Sequence, residues 1–206
     1  MISLEVTKLT KKYNQNVVID NLSFSHTNGV LGIAGSNGSG KSTLMKCLVG
    51  LSRSGKNDIT WKKDETIIPT NEIKFISGFS APYINLYTEL TIFENLEFLQ
   101  EVSSEQNNSD HILKLLDYVH MTPLKDQLVK QLSTGQLQRI KLASALIRTP
   151  DILFLDEPGS NLDQKGHELV SKIVADQKAL GKLVIMASND PNEISLCDQV
   201  INLSTS

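Results

Sequence analysis

Apolar and polar residues alternate from the start of the chain, with Ile2, Leu4, Val6 and Leu9 recurring at the period of a half-buried strand. Val17 to Phe24 repeats that character, and Val30 to Ala34 is a short, apolar run that reads as a buried strand. A helix follows through Leu44, Met45, Leu48 and Val49, then a polar stretch from Ser52 to Asn57 and the strand-like Asp58 to Trp61. From about residue 88 the period lengthens. Thr91 and Glu94 form a capping box, with Ile92, Leu96 and Leu99 on one helix face behind it. Beyond a polar, turn-rich stretch at 103–110, Ile112, Leu115, Leu116 and Val119 are spaced as the apolar face of a second helix. A third begins near Ser133, buries Leu137, Ile140, Ala143 and Ile147, and ends before Pro150. Strands and helices then alternate: strand 151–155, helix 163–180, strand 182–187, a short helix at 192–197 and strand 199–203.

Such alternation argues for an α/β core, a mainly parallel sheet flanked by helices on both faces. The helical block at 88–149 reads as a subdomain inserted between core segments 1–87 and 150–206, within one domain of 206 residues. The apolar runs, of which 183–187 is among the longest, fall far short of the ~20 residues that a membrane span needs. The N-terminal alternation reads as a strand rather than a secretory leader. A net charge of −3 gives no general attraction to nucleic acid, and two distant cysteines, Cys47 and Cys197, suggest neither a disulfide framework nor a zinc site. A soluble cytosolic protein is expected, with attachment to a membrane partner left open.

The chemistry is concentrated in Gly35-Ser36-Asn37-Gly38-Ser39-Gly40-Lys41-Ser42-Thr43, which matches G-x-x-x-x-G-K-[ST] at every fixed position. It lies between a predicted strand and a predicted helix, the setting a phosphate-binding loop requires. Its glycines let the backbone curl N–H groups around one anion, and the helix N-terminus adds partial positive charge. Lys41 is placed to reach the β- and γ-phosphates of a nucleoside triphosphate, and the Ser42 hydroxyl to ligate Mg²⁺. Further on, Ile152 to Leu155 is an apolar strand that ends in Asp156-Glu157. Carboxyl ends of such strands are where open α/β sheets hold their ligands. Asp156 is suited to hold Mg²⁺, and Glu157 to polarise the water that attacks the γ-phosphate.

Leu132-Ser133-Thr134-Gly135-Gln136 resembles the LSGGQ signature of ABC ATPases, with threonine at the first glycine. It lies between the phosphate loop and the Asp-Glu strand, in that family's order. Ser160-Asn161-Leu162-Asp163 is similar to the family's D-loop, and Tyr13 to the aromatic residue that stacks on adenine. The resemblance runs from residue 2 to about 203. It implies a P-loop NTPase core with an antiparallel β portion near the N-terminus and an inserted helical subdomain. It also implies ATP and Mg²⁺ as ligands, and two domains that sandwich two ATPs head to tail. Ser133, Thr134, Gly135 and Gln136 of one copy then cap the γ-phosphate held by the other copy's loop. The implied partners are a separate transmembrane permease subunit and a second ATPase domain, as a homodimer or with a related chain. Residence on the cytoplasmic face of the membrane follows, and no nucleic-acid partner is expected. Short single-domain subunits like this one resemble bacterial export-type ATPases, including the haem-export kind.

Two of the family's switch residues are absent. Ala187-Ser188-Asn189-Asp190 puts Asn189 in the slot of the usual histidine, and none of His26, His111, His120 or His167 stands in for it by sequence order. An asparagine amide still donates a hydrogen bond to a phosphate oxygen but does not relay a proton. The usual glutamine is missing too: in Ile76-Ser77-Gly78-Phe79-Ser80-Ala81-Pro82-Tyr83, Ala81 falls closest to its place, with Ser80 and Asn85 as possible substitutes. The stretch 79–83 with Tyr87 also reads as an exposed groove for a partner, or as ordinary packing. The leading expectation is the ATP-hydrolysing subunit of a transporter. The alternatives are a regulatory module that closes on ATP with little hydrolysis, and a nucleic-acid-associated ABC ATPase. The substrate is not encoded here.

Overall fold

The computed structural model describes residues 1–55, 58–102 and 108–203, so parts of the polar stretches read at 52–57 and 103–110 lie outside the described residues. Two sheets form. Strands β1 (Ile2–Tyr13), β2 (Asn16–Thr27), β4 (Ile59–Lys63) and β5 (Thr66–Ile68) make an antiparallel sheet ordered β2-β1-β4-β5. Strands β3 (Gly29–Ala34), β6 (Ser77–Ser80), β7 (Ile152–Asp156), β8 (Leu183–Ser188) and β9 (Gln199–Asn202) make a parallel sheet ordered β6-β7-β8-β3-β9. β5 was not anticipated, because three residues are too few to carry a period.

The parallel strands are buried on both faces, which is why they read as unbroken apolar runs. Ile152, Phe154, Leu183, Ile185, Leu31 and Ile33 face helix α1 (Lys41–Leu48) and, beyond it, Leu4, Val6 and Trp61 of the antiparallel sheet. Trp61 is fully buried there and its indole N–H donates to the Leu48 carbonyl at 2.9 Å. Helix α1 is thus clamped between two sheets. The alternate residues Leu153, Leu155, Val184 and Met186 face the other layer, formed by α5 (Gln164–Ala179) and three helices between β6 and β7. These are α2 (Ile92–Val102), α3 (Ser109–Tyr118) and α4 (Thr134–Leu146).

The caps explain where these helices begin. At α2, Glu94 accepts from the Thr91 N–H (2.7 Å) and Thr91 Oγ1 from the Glu94 N–H (3.1 Å), the reciprocal box expected from sequence. Asn108 caps α3, Ser133 caps α4 and Asp163 caps α5. Helix α6 (Pro191–Ile194) is shorter than the stretch read at 192–197. β6 and α4 touch at Gly78, where any Cβ would run into the Ala145 carbonyl. That contact brings the N-terminal half of the sheet against the helix that starts at Ser133.

Candidate functional site

Sheet order assembles the site. β3 lies beside β8, and β8 beside β7, so their carboxyl ends open onto one edge. The phosphate loop leaves β3, Asp156 and Glu157 end β7, and Asn189 follows β8. Gly40 caps α1 in a left-handed conformation (φ 98°), and a Cβ there would stand 3.0 Å from Val18 Cγ1 and from the Val18 carbonyl oxygen. Only glycine meets both demands. α1 has no side-chain cap and no carboxylate in its first turn, so its leading N–H groups remain directed at an incoming anion.

Beside the loop lies a cavity of about 470 Å³, lined by Tyr13, Val18, Asn37, Gly38, Gly40, Lys41, Ser42, Thr43 and Glu157. Tyr13 is half exposed at the end of β1, its ring 5.0 Å from Lys11 Nζ. Lys41 is buried, and its Nζ donates to the carbonyl oxygens of Gly35 (2.7 Å) and Ser36 (3.3 Å) while pairing with Glu157 Oε1 at 3.2 Å. The ammonium is thus held between two loop carbonyls and the Glu157 carboxylate. Glu157 itself holds a left-handed backbone (φ 50°), which bends the chain at the strand end and turns its carboxylate toward the loop. Its N–H donates to the Ala187 carbonyl at 2.8 Å, tying that bend to β8.

Asp156 is 1% exposed, and neither carboxylate oxygen has a hydrogen-bond partner. Burial pushes its pKa up, with Glu157's charge adding to the rise; Ser42, Lys41 and Lys46 pull it back only in part. A buried, under-partnered carboxylate next to a serine hydroxyl is an oxygen donor set of the kind that Mg²⁺ takes. Asn189 lies against the loop, its amide N–H donating to Asn37 Oδ1 at 3.1 Å. Ser39 Oγ is enclosed without a partner.

The signature residues are elsewhere. Gln136 folds back to accept from the Ser133 N–H (2.9 Å), and Ser133 Oγ accepts from the Gln136 N–H (3.3 Å). Thr134 is exposed, and Gly135 faces the Asn161 carbonyl, where a Cβ would meet it at 3.0 Å. None of residues 133–136 lines the phosphate-loop cavity. Asp163 accepts from the Gly166 N–H at 2.9 Å and pairs with Arg139 at 3.1 Å, contacts that lower its pKa and fasten α5 to α4.

The loop after β6, read as an exposed groove or as ordinary packing, is buried at its start and exposed farther on. Ser80 and Ala81 are fully buried because they continue β6 under α4, while Asn85 is exposed and Tyr87 pairs edge-on with Phe98 at 5.1 Å. Sequence reasoning missed Lys141 here, and named Tyr83 only as part of the 79–83 stretch. Lys141 of α4 is buried, and its Nζ donates to the carbonyls of Ala81 (3.3 Å) and Pro82 (2.9 Å); burial lowers its pKa. A lysine between Ile140 and Leu142 on an apolar helix was the available signal. Tyr83 carries an enclosed hydroxyl without a hydrogen-bond partner; burial first, and Asp156's charge second, push its pKa up. Of the histidines, His26 Nδ1 meets Gln199 (2.8 Å) and His111 Nε2 the Ile147 carbonyl (3.0 Å), while His167 stands near Asp190 and Glu193.

A family model described as ABC transporter matches residues 19–160. The chain is 32% identical to an uncharacterized ABC transporter ATP-binding protein of Bacillus subtilis (strain 168), over 98% of this chain and 92% of that protein. It is 31% identical to a cytochrome c biogenesis ATP-binding export protein of Aliivibrio fischeri, over 93% of this chain and 96% of that protein. Import ATP-binding proteins stand at a similar identity, and the chain spans little more than half of their length. Its fold superposes on a dimeric bacterial ABC transporter cassette with a TM-score of 0.86 at 24% identity, covering 98% of this chain and 94% of the other.

Proposed function

The chain belongs to the ABC transporter family as an ATP-binding domain, and we propose that it works there as one ATPase domain over 1–206 that drives a separate transmembrane subunit. The observation that carries this reading is the pairing of Lys41 with Glu157 at 3.2 Å beside the unpartnered Asp156 carboxylate. The carbonyls of Gly35 and Ser36 and the carboxylate of Glu157 occupy Lys41 as phosphate oxygens would. An incoming β,γ-phosphate exchanges for them, since its several negative charges attract the ammonium more strongly than two neutral carbonyls and one carboxylate do. That exchange releases Glu157, whose free carboxylate then accepts the proton of the attacking water. The Asn189 amide turns from Asn37 to a γ-phosphate oxygen, holding it without taking up a proton. Ser42 and Asp156 would hold Mg²⁺, which when bound would neutralise phosphate charge.

The signature helix is the missing half. Residues 133–136 lie outside the cavity, so a second copy, or a related domain, presents the α4 N-terminus to the γ-phosphate across the interface. The Ser133–Gln136 box keeps that terminus wound, and exposed Thr134 adds a side chain there. Tyr13 supplies a half-exposed ring for adenine at the mouth of the cavity. No described helix is long and apolar enough to cross a membrane. Steady-state Mg-ATP hydrolysis tests the reading. Turnover that Lys41→Ala and Glu157→Gln each reduce by about 100-fold or more supports it. Turnover indifferent to both substitutions would overturn it.

A further inference from the structure

Two buried polar groups without hydrogen-bond partners lie on the α1 side of the ends of β6 and β7: the Tyr83 hydroxyl and the Asp156 carboxylate. Orphaned groups of this kind are few in folded proteins, and each calls for a partner not supplied by the chain. Their closeness follows from the sheet. Phe79 pairs with Phe154 and Ser80 with Leu155, so the chain leaving β6 runs alongside Asp156. Tyr83 is then brought back over this end. Its ring lies 6.0 Å from Phe79, which stacks on Phe154 at 5.4 Å, and Lys46 Nζ stands over the Tyr83 ring at 3.9 Å from its centroid. Lys46 is one helical turn beyond Ser42, on the same side of α1. Tyr83 is therefore wedged between the Ser42–Lys46 edge of α1 and the Asp156 end of β7.

We propose that Tyr83 is a positioning residue of the magnesium site, its hydroxyl donating to the Asp156 carboxylate or to the water which that carboxylate holds with the metal. This rests on the ATPase reading above. No glutamine occurs between Gln15 and Gln100, so the stretch that leads from the sheet into the helices has no side-chain amide of that kind. Of its polar residues, Asn85 is exposed, whereas Tyr83 combines an enclosed hydroxyl with a ring in contact with both Phe79 and Lys46. A phenol reaches farther than a serine hydroxyl and donates without carrying charge, so it orders a carboxylate without competing with the metal. Lys141, holding the Ala81 and Pro82 carbonyls, anchors the same loop to α4, so a shift of the signature helix moves Tyr83 with it.

The test is Tyr83→Phe, with Tyr87→Phe, an exposed tyrosine, as the control. Binding of a fluorescent ATP analogue is titrated with Mg²⁺ and with EDTA, and the thermal midpoint is measured without nucleotide. For Tyr83→Phe the affinity in EDTA stays at the wild-type value. The gain in affinity on adding Mg²⁺ falls by about tenfold. The nucleotide-free midpoint holds or rises, because an unsatisfied buried hydroxyl has been removed. A hydroxyl that serves only packing would leave the magnesium gain within about twofold of wild type, and that result overturns the proposal. Equal weakening with and without Mg²⁺ overturns it too, since it places Tyr83 on the nucleotide rather than at the metal. Wild-type protein that shows no magnesium gain at all overturns the ATPase reading itself, which separates the two failures.

Discussion

Asp156→Asn is expected to make the nucleotide-free protein more stable while removing its response to Mg-ATP. In the wild type the carboxylate is 1% exposed and neither oxygen is hydrogen-bonded. Two effects oppose one another. Desolvation penalises the charge, and Glu157 adds repulsion; Ser42, Lys41 and Lys46 offset part of this. The raised pKa says that the penalty wins. An amide of the same shape keeps an unsatisfied polar group but sheds the charge, so the expected gain is about 1–2 kcal/mol. For a chain of this size that raises the midpoint by about 2–8 °C. The pH dependence has a definite sign. With the folded pKa above the ordinary 3.8, the folded protein binds its proton more readily than the unfolded chain does. The penalty is therefore complete above the folded value and vanishes as pH falls toward 3.8, so the advantage of Asp156→Asn shrinks with acid. Thermal denaturation in EDTA, repeated with Mg-ATP, measures both limbs. Wild type is raised by Mg-ATP, and the variant starts higher and gains little. A variant less stable than wild type in EDTA would refute the reasoning, because it would mean that the carboxylate is already satisfied within the protein.

Other outcomes follow from packing and charge. Gly78→Ala places a Cβ against the Ala145 carbonyl, 2.8 Å from its carbon and 3.0 Å from Pro150 Cγ, so β6 and α4 must separate. A loss of about 3 kcal/mol or more is expected in urea unfolding, together with weaker hydrolysis as Lys141 loses the Ala81 and Pro82 carbonyls. Asp151 is clamped by Lys182 (2.7 Å) and Lys63 (2.8 Å), and the Lys182 contact, then that of Lys63, depresses its pKa below 3.8. That depression adds stability above pH 3.8 that is lost as pH falls through the folded value. Asp151→Asn should lower the neutral-pH stability by about 1 kcal/mol and flatten the acid limb of the unfolding curve.

How much of this was legible beforehand depended on the distance over which each feature is decided. The phosphate loop, the Asp156-Glu157 strand end, the Thr91 box and the helix faces of α2 and α3 were readable because each is set within one or two turns of backbone. There, side-chain period, caps and glycine conformations leave few alternatives. α4, by contrast, is buried nearly all round, with Leu137 of its expected face only partly covered and Lys141, Leu142, Ala145 and Leu146 buried as well. β5 and the short α6 escaped or were misjudged because a few residues carry no period. The buried faces of Ser80 and Ala81 escaped because nothing local announces that β6 runs beneath α4. The contacts of Lys141 and Tyr83 were not legible, since their partners lie in other elements. Asn189 was recognised by its place in a motif, but its contact with Asn37, 152 positions away, appears only once β8 lies next to β3. The sequence by itself determined which chemical groups this protein carries and in what local frame, since backbone sterics act over a few residues. The tertiary structure decided which groups meet: the strand order β6-β7-β8-β3 brings four strand ends to one edge. The Lys41–Glu157 pair and the Tyr83 wedge exist only because that order puts the ends side by side.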